Sequence, residues 1–441
     1  MPDKLPAPRH PDVLAPRREL FAWAMYDFAN SGFTTVVLTA IFNAYFVSVI
    51  AAQSVGGSAT LYWTLAMAIA NAIVLLSAPV IGALADFGAN KKRFLAITTS
   101  GCVLFTAALA TVGPSDLVLA MVLVILATVM FSSGENIIAA FLPEIAPPKD
   151  MGRISGYGWA LGYFGGLLVL AISLAYVSWA ESRGQGAEDY VPVTMLITAG
   201  MFALAALPTF IWLKERAQKS RLPAGEHYIA IGFKRVYHTF RDVTRFRDLI
   251  RFLIALTIFQ SGIYTVIVLA AIYAQKVMGF TTKDTVIMIM VVNITAAIGA
   301  FLFGQLQDRL GSIKTLVLTL LVWITALVTA SVTDDRAVFW LVANLIGLAL
   351  GSSQSAGRAL VGLFTPPGRS AEFFGLWGLA VKLAAIIGPV SYGLITYLSQ
   401  GDHRLAILST NAFFVIGLIL LLTVNEQRGR AAALTPVSDD G

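Results

Sequence analysis

Gly82-Ala-Leu-Ala-Asp86 and Gly304-Gln-Leu-Gln-Asp308 are two copies of one pattern, half a chain length apart in a sequence of 441 residues. Basic residues follow each copy: Lys91-Lys92-Arg93 after the first, and Arg309 and Lys314 after the second. Each copy lies where one long apolar run ends and the next begins. A pattern that returns at half length indicates an internally duplicated chain. Because the repeated unit contains several apolar runs, it predicts a transporter made of two similar helix bundles.

The composition around these two loops is that of a membrane protein. Hydrophobic residues make up 57% of the chain and charged residues 13%, and the mean hydropathy is +0.76. Soluble domains carry about 25% charged residues, so much of this apolar surface is expected to face a lipid bilayer. Basic loops account for the net charge of +6, and no nucleic-acid partner is predicted.

Twelve apolar runs have the length that a membrane-crossing helix needs, which is about 20 residues. A membrane barrel is excluded because its strands would alternate apolar and polar residues. The predicted fold is therefore all-α, with twelve transmembrane helices in two six-helix bundles. The predicted spans 1 to 12 are 21–50, 61–85, 94–112, 116–140, 152–178, 191–213, 249–275, 284–306, 314–332, 336–357, 372–397 and 404–424.

The positions of Lys and Arg predict the orientation of these spans. Most of the 31 basic residues lie in the segments on the side of the two chain ends. The positive-inside rule places that side, and both termini, in the cytoplasm, and a cell (inner) membrane is the expected location. The predicted divisions are a cytoplasmic N-terminal segment 1–20, an N-terminal bundle 21–213, a cytoplasmic linker 214–248, a C-terminal bundle 249–424 and a cytoplasmic tail 425–441.

The linker and the tail have different patterns. In the linker, apolar residues recur at alternating steps of four and three with basic residues between them, which predicts an amphipathic helix. This helix could lie on the membrane surface or pack beneath the bundles. The tail is predicted to be disordered. The apolar residues of the linker pattern are Ile229, Phe233, Val236, Phe240 and Val243.

Several runs of sequence are similar to the major facilitator superfamily, and within it to the "unknown major facilitator" family. The fungal relatives of that family are the autophagy-linked vacuolar amino-acid effluxers. The resemblance covers about residues 21 to 424. It implies alternating access, a central cavity lined by spans 1, 4, 7 and 10, and contacts of span 5 with span 8 and of span 2 with span 11. The runs are Tyr26-Asp27-Phe-Ala-Asn30-Ser31, Pro143-Glu144-Ile145, the glycine-rich run 154–166, and Phe373-Phe-Gly-Leu-Trp377 with Lys382.

Apart from charges at the first three positions of a span, the apolar spans contain Asp27, Glu135 and Lys382, and Arg358 ends span 10. A charge at bilayer depth costs about 2.5–3.5 kcal/mol on insertion scales, so such residues usually face a cavity and have partners. They either serve transport or form ion pairs that only hold helices together. Arg358 is expected at the end of span 10, and Asp27 and Lys382 are the better functional candidates. The residues predicted for substrate or proton coupling are Asp27, Asn30, Glu135, Gln260, Tyr264, Asn344, Gln354, Arg358 and Lys382.

Small residues recur every four positions along span 5 and span 8, and they are predicted to pack these two spans closely against each other. That contact serves either gating or static packing. The two loop aspartates are predicted to cap helix starts in the neighbouring bundle, where a negative charge is favourable. The residues predicted for gating and packing are Gly82, Asp86, Gly158, Gly162, Gly166, Ala300, Gly304, Asp308 and Arg309.

The predicted function is secondary active transport of a small polar solute, coupled to protons as symport or antiport, by a monomer. An amino acid or similar zwitterion is the first candidate. The alternative is efflux of lipophilic cations or drugs, against which Lys382 and Arg358 argue. An enzyme or a sensor is less favoured because the sequence has no nucleotide-binding loop and its single cysteine and four histidines form no metal-binding pattern, so no cofactor is expected.

The predicted orientation is testable by cysteine labelling from outside the cell. Cysteines placed at Ser58 and Gln185 should react with a membrane-impermeant maleimide, whereas one placed at Lys219 should not, because the linker is predicted to be cytoplasmic. Labelling in the opposite pattern would reverse the orientation of the whole chain.

Overall fold

The computed structural model of the protein describes residues 11–52, 59–217, 232, 237 and 245–435. Within these ranges there is no strand, and twelve helices are long and apolar enough to cross a membrane. The prediction of an all-α chain with twelve spans is confirmed. The helices are α1 Arg17–Ile50, α2 Ala59–Gly88, α3 Lys91–Thr111, α4 Leu117–Ile145, α5 Pro148–Glu181, α6 Ala187–Trp212, α7 Arg247–Lys276, α8 Lys283–Leu310, α9 Ser312–Val332, α10 Arg336–Phe364, α11 Ser370–Leu398 and α12 His403–Leu421.

The contacts among these helices repeat between the two halves of the chain. In the first half, α1 packs against α5 and α6, α3 against α4 and α6, and α2 against α4. In the second half, α7 packs against α11 and α12, α9 against α10 and α12, and α8 against α10. Adding six to each helix number of the first set gives the second set, so the halves are two similar six-helix bundles. The bundles meet where α2 packs against α11 and α5 against α8.

The start of α1 and the end of α12 lie on one face of the protein, which we call the terminal face. Because successive helices run in opposite directions, the α2–α3, α4–α5, α8–α9 and α10–α11 connections lie on this face as well. A hydrogen bond of 2.9 Å from the Ala15 N–H to the Ile145 carbonyl joins two of these segments.

The two bundles touch most closely in the half of the protein next to the terminal face. A Cβ atom added at Gly82 in α2 would lie 2.0 Å from the Ala371 carbonyl oxygen in α11, and one added at Gly375 would lie 2.6 Å from the Ala78 carbonyl oxygen. Among the described residues, every hydrogen bond between the two bundles also lies in this half. The protein is therefore closed at its terminal face.

The contact between α5 and α8 is a second close approach of two backbones. A Cβ atom added at Gly156 would lie 2.4 Å from the Ala300 carbonyl oxygen, and one added at Gly304 would lie 2.7 Å from the Gly152 carbonyl oxygen. Small residues allow this distance because they carry little or no side chain. Ala300 and Gly304 thus lie at the contact with α5, as their spacing predicts.

The expectation that Gly158, Gly162 and Gly166 of α5 face α8 is wrong. A Cβ atom added at Gly162 would lie 3.0 Å from the Ser31 Oγ, and one added at Gly166 would lie 2.6 Å from the Thr35 Oγ1. Both partners belong to α1, in the same bundle, and Gly158 faces α1 as well. Residues four apart share one face of a helix, but their spacing does not reveal which neighbour that face meets.

A short segment after α6 ties helices of the first bundle together at the terminal face. The Glu215 carboxylate accepts hydrogen bonds from the backbone N–H groups of Lys91, at 2.7 Å, and Lys92, at 3.2 Å, which begin α3. Arg216 makes two hydrogen bonds to the Glu19 carboxylate of α1, at 2.6 and 2.8 Å. The acid thus stabilises a helix start, while the bidentate pair fixes the segment against α1.

The segment after α12 repeats this arrangement in the second bundle. The Glu426 carboxylate accepts hydrogen bonds from the backbone N–H groups of Ser312, at 2.9 Å, and Ile313, at 3.2 Å, which begin α9. Arg428 makes two hydrogen bonds to the Asp248 carboxylate of α7, at 2.5 and 2.7 Å. The two exit segments are therefore equivalent parts of the duplicated fold.

The expectation of a disordered tail is wrong for Glu426–Leu434, which form helix α13. This helix packs against the end of α10, because a Cβ atom added at Gly429 would lie 2.5 Å from the Phe364 ring. The amphipathic helix predicted in the linker falls on residues outside those described.

Gly156→Ala should favour the state in which the terminal face is open, because the added methyl group would push α5 away from α8. Gly165→Ala is the matched control: its Cβ would lie 2.2 Å from the Phe28 carbonyl oxygen within the first bundle, so it should lower the yield of folded protein instead. Gel filtration measures folding, and the labelling rate of a cysteine placed at Ala371, between the bundles, measures opening. If both variants only lose folded protein, the α5–α8 contact is static packing.

Candidate functional site

Two of the charged residues identified in the sequence meet between the bundles. Asp27 in α1 and Arg358 in α10 form an ion pair with 2.7 Å between Oδ2 and Nη1, and their side chains are 10% and 3% exposed. Arg358 does not end its helix, contrary to expectation, since α10 continues to Phe364. Either charge alone would be costly at such burial, and the attraction between the two offsets part of the cost of removing each from water.

The Arg358 guanidinium is held mainly by α5. Its Nε donates to the Ser155 Oγ at 3.1 Å and its Nη2 donates to the Ser155 carbonyl oxygen at 2.8 Å. The ring of Trp23 lies 4.7 Å from the guanidinium carbon, and that of Trp159 lies 5.3 Å from it. Aromatic faces attract a guanidinium at these distances. The charge is therefore surrounded by hydrogen-bond acceptors and aromatic rings.

Gly158 is a part of this site as well as a packing residue. A Cβ atom added there would lie 2.3 Å from the Asp27 Oδ2 and 2.6 Å from the Arg358 Nη2. A side chain at this position would occupy the space in which the carboxylate meets the guanidinium. The absence of a side chain at Gly158 thus allows the ion pair to form.

Glu135 in α4 and Lys382 in α11 are a second acid and base from opposite bundles. The charge of each acts on the other, and the charges of Asp27 and Arg358 also act on Glu135. Lys382 is 9% exposed. Neither Glu135 nor Lys382 makes a hydrogen bond, or an ion pair within 4.0 Å, with any residue of the described ranges. The acid and the base thus lie near enough for their charges to interact, but they do not form a contact pair.

Polar side chains of α7 and α10 lie beside this second pair. The Gln260 Nε2 donates to the Gln354 Oε1 at 2.8 Å, and Tyr264 lies one turn after Gln260 along α7. Tyr264 lies close enough to Glu135 for that charge to act on its hydroxyl. The structure therefore brings Gln260 and Gln354 together and places Tyr264 near Glu135.

Asn30 and Asn344 are placed differently. Asn30 is buried one turn along α1 from Asp27, and its side-chain oxygen accepts a long hydrogen bond of 3.5 Å from the Ser31 hydroxyl. The Asn344 amide donates to the Trp340 carbonyl oxygen of its own helix at 2.8 Å. At 1.5 Å rise per residue, Asn344 lies about 20 Å along α10 from Arg358, so it is not brought to the charged residues.

A network around Lys91 joins the bundles at the terminal face. Lys91 is fully buried: its Nζ lies 3.5 Å from the Asp86 Oδ1, forms an ion pair with Glu144, and donates to the Ser370 Oγ at 2.8 Å. Asp86 also accepts a hydrogen bond of 2.9 Å from the Glu372 N–H, near the start of α11. Nothing in the sequence indicates that Lys91, among three adjacent basic residues, is the buried one.

Asp308 joins the bundles through the equivalent contact. Its two carboxylate oxygens accept hydrogen bonds from the backbone N–H groups of Gly152, at 2.8 Å, and Arg153, at 2.9 Å, at the start of α5. Asp86 and Asp308 both make the helix-start contact expected of them, and their gating role stays a prediction. Arg309 is exposed and makes no hydrogen bond or ion pair with a described residue.

Sequence reasoning did not identify Ser155, although it lies in the glycine-rich run of span 5. A serine in an apolar helix commonly bonds to its own backbone, so the residue type alone carries no functional signal. Metal binding has no basis in the described ranges, where no three His, Cys, Asp or Glu side chains are grouped closely enough to hold an ion. The candidate site consists of two acid–base pairs, and each pair has one member from each bundle.

Comparison with known proteins agrees with this architecture. A sequence model of the family described as "Vacuole effluxer Atg22 like" matches residues 57–434. The chain is 27% identical over 409 residues to "Uncharacterized MFS-type transporter YxiO" of Bacillus subtilis (strain 168), with 92% of this chain and 94% of that protein covered. It is 24% identical over 342 residues to autophagy-related protein 22 of Yarrowia lipolytica (strain CLIB 122 / E 150), covering 70% of this chain and 57% of that protein.

The chain thus spans little more than half the length of this fungal relative. In three dimensions it is similar to the crystal structure of the human organic anion transporter MFSD10, with a TM-score of 0.71, 13% identity, and 92% of this chain and 99% of that chain covered. This likeness shows the fold, which is that of the major facilitator superfamily. Because the family match extends over most of its length, the chain belongs to the vacuole effluxer Atg22-like family, and it is a secondary transporter rather than an enzyme.

Proposed function

We propose that the protein carries a small zwitterion across the membrane, with an amino acid as the first candidate, and that protons drive the transport. The observation that carries this proposal is the arrangement of Glu135 and Lys382. They are an acid and a base from opposite bundles, and neither is neutralised by a described side chain at contact distance. Intramembrane charges without such partners are costly. A substrate with a positive group to pair with Glu135 and a negative group to pair with Lys382 would therefore bind favourably between these two residues.

An acid and a base in this arrangement suit a molecule with an ammonium at one end and a carboxylate at the other. Glu135 would accept hydrogen bonds from the ammonium, and Lys382 would donate to the carboxylate. Gln260, Gln354 and Tyr264 would supply neutral polar contacts beside Glu135. Efflux of lipophilic cations fits less well, because the buried Lys382 would repel them.

Such a substrate would bind to both bundles at once. Because Glu135 belongs to the first bundle and Lys382 to the second, a bound zwitterion would bridge them and favour closure around itself. Alternating access requires an occluded state of this kind, in which the two bundles move about a site at their interface.

The substrate proposal predicts how analogues should bind. In a calorimetric screen of purified protein against amino acids, the best ligand should bind about tenfold or more tightly than its amide, which lacks the carboxylate, or its N-acetyl derivative, which lacks the ammonium. Lys382→Gln should abolish the preference over the amide only, and Glu135→Gln should abolish the preference over the N-acetyl derivative only, since each removes one charged partner.

Lys276→Gln is the matched control, because Lys276 is an exposed lysine at the end of α7, and it should keep both preferences. If Lys382→Gln and Glu135→Gln also keep both, the site is elsewhere. Tighter binding of tetraphenylphosphonium by Lys382→Gln, without any binding of amino acids by the unaltered protein, would favour the transport of lipophilic cations instead.

The proton is proposed to bind to Asp27. While the terminal face is closed, Arg358 favours the charged form of the Asp27 carboxylate through a contact of 2.7 Å. The partners belong to different bundles, so opening of the terminal face must separate them. An isolated buried carboxylate is costly and tends to become neutral. Protonation of Asp27 and opening of the terminal face would therefore favour each other, whereas the charged form of Asp27 would favour the closed pair, so protonation would change as access alternates.

Asp27→Asn should preserve the fold but abolish uptake driven by a pH gradient in proteoliposomes, because asparagine cannot carry the proton. Exchange of substrate across the membrane should survive. Asp116→Asn, which changes an exposed acid between α3 and α4, is the control and should retain gradient-driven uptake. Normal gradient-driven uptake by Asp27→Asn would leave Asp27 a purely structural partner of Arg358.

The orientation and location proposed for the chain follow from its basic loops. If the chain spans the cell membrane with both termini on the cytoplasmic side, the terminal face is the cytoplasmic face. The closed contacts described above would then block access from the cytoplasm, and the substrate would reach the site from the other side of the membrane.

A further inference from the structure

Arg358 has three guanidinium nitrogens, and all three donate hydrogen bonds to the first bundle. Nη1 donates to Asp27, whereas both Nε and Nη2 donate to Ser155, to its hydroxyl and its carbonyl oxygen. Two of the three nitrogens are thus fixed by α5 rather than by the acid in α1. The direction of the guanidinium is set by Ser155, and Asp27 meets the nitrogen that remains.

Ser155 also binds the backbone of α10. Its hydroxyl donates to the Ser355 carbonyl oxygen at 2.8 Å, so its oxygen keeps its lone pairs for the Arg358 Nε–H. Ser355 and Arg358 are three residues apart and lie on the same side of α10. One fully buried hydroxyl therefore contacts two residues of α10, one turn apart, and these bonds require α5 and α10 to be in contact.

The next residue on this side of α5 is Gly158, three positions after Ser155. It leaves the space in which the Asp27 carboxylate and the guanidinium meet, since a Cβ atom would lie within 2.3 Å of the former and 2.6 Å of the latter. Helix α5 therefore presents two acceptors for the guanidinium, followed by a gap for the carboxylate. This order places the two charges against each other.

We infer that Ser155 is a positioning residue of the transport cycle, which directs Arg358 onto Asp27 only while α5 and α10 are in contact. Separation of the bundles at the terminal face removes both Ser155 acceptors from Arg358 at the same time as it removes Asp27. The ion pair is thereby made or broken together with the α5–α10 contact. Closure of the terminal face then depends on Ser155, although this residue carries no charge.

The test measures opening of the terminal face with a cysteine placed at Ala371 in a Cys102→Ala background. Ala371 is 2% exposed and lies beside a small gap between α2, α4 and α11, so a thiol fits there and reacts with maleimide only when the bundles separate. Ser155→Ala should raise the labelling rate of purified protein about tenfold, because hydrogen bonds to a charged group are lost from the closed state. The measurement needs no substrate, so its outcome is independent of the analogue experiment.

A positioning role is distinguished from ordinary packing by combining two substitutions. In an Arg358→Gln background, Ser155→Ala should change the labelling rate less than about threefold, because the guanidinium on which it acts is gone and only the Ser355 contact remains. Gly158→Ala should also raise the rate when Arg358 is present, since it separates the charges while leaving Ser155 in place.

Ser173→Ala is the matched control, because Ser173 is equally buried in α5 and its hydroxyl makes no hydrogen bond within the described part of the chain. It should leave the labelling rate unchanged in both backgrounds. An unchanged rate for Ser155→Ala when Arg358 is present would overturn the inference. So would an equal increase with and without Arg358, which would make Ser155 a packing residue.

Discussion

The buried ion pair between Asp27 and Arg358 is the interaction on which the closed arrangement of the bundles depends. Each charge would be costly to leave alone at such burial, and each belongs to a different bundle. The α5 helix surrounds the pair with Ser155 and Trp159, so the pair requires contact among three helices. The cost of separating the two buried charges therefore favours the closed state. When the terminal face opens, each charge must gain a new partner, a proton or water.

The duplicated fold applies the same contacts twice around this pair. Asp86 binds near the start of α11 and Asp308 binds the start of α5, so each bundle caps a helix of the other. At the outer side of the terminal face, Glu215 and Glu426 cap the third helix of their own bundles. The first set of contacts must break when the bundles separate, whereas the second set holds each bundle together as a unit. This division suits motion of two rigid bundles about a central site.

The sequence predicted which residues lie at the closed terminal face better than it predicted which residues they contact. The repeated loops identified Asp86 and Asp308 because each follows the same glycine pattern at the end of a span. The glycines of α5 were assigned to the wrong neighbour, since a helix so rich in small residues offers a close approach on more than one side. Lys91 was not identified, because a basic residue next to others usually faces solvent. Its burial arises only from Glu144, Asp86 and Ser370, which come from distant parts of the chain.

The sequence by itself determined the number of spans, their duplication and the presence of charges inside them. The spans and their charges are recognisable because the bilayer requires about 20 apolar residues for each crossing and makes an internal charge costly. The duplication is recognisable because the loop pattern returns at half length. The tertiary structure alone decided that Asp27 meets Arg358, 331 positions away, while Glu135 and Lys382 remain apart. The reason is geometric: hydrophobicity fixes the length and depth of a helix, but its rotation about its own axis is set by packing against neighbours. The rotation of each helix therefore decides which charged side chains come into contact.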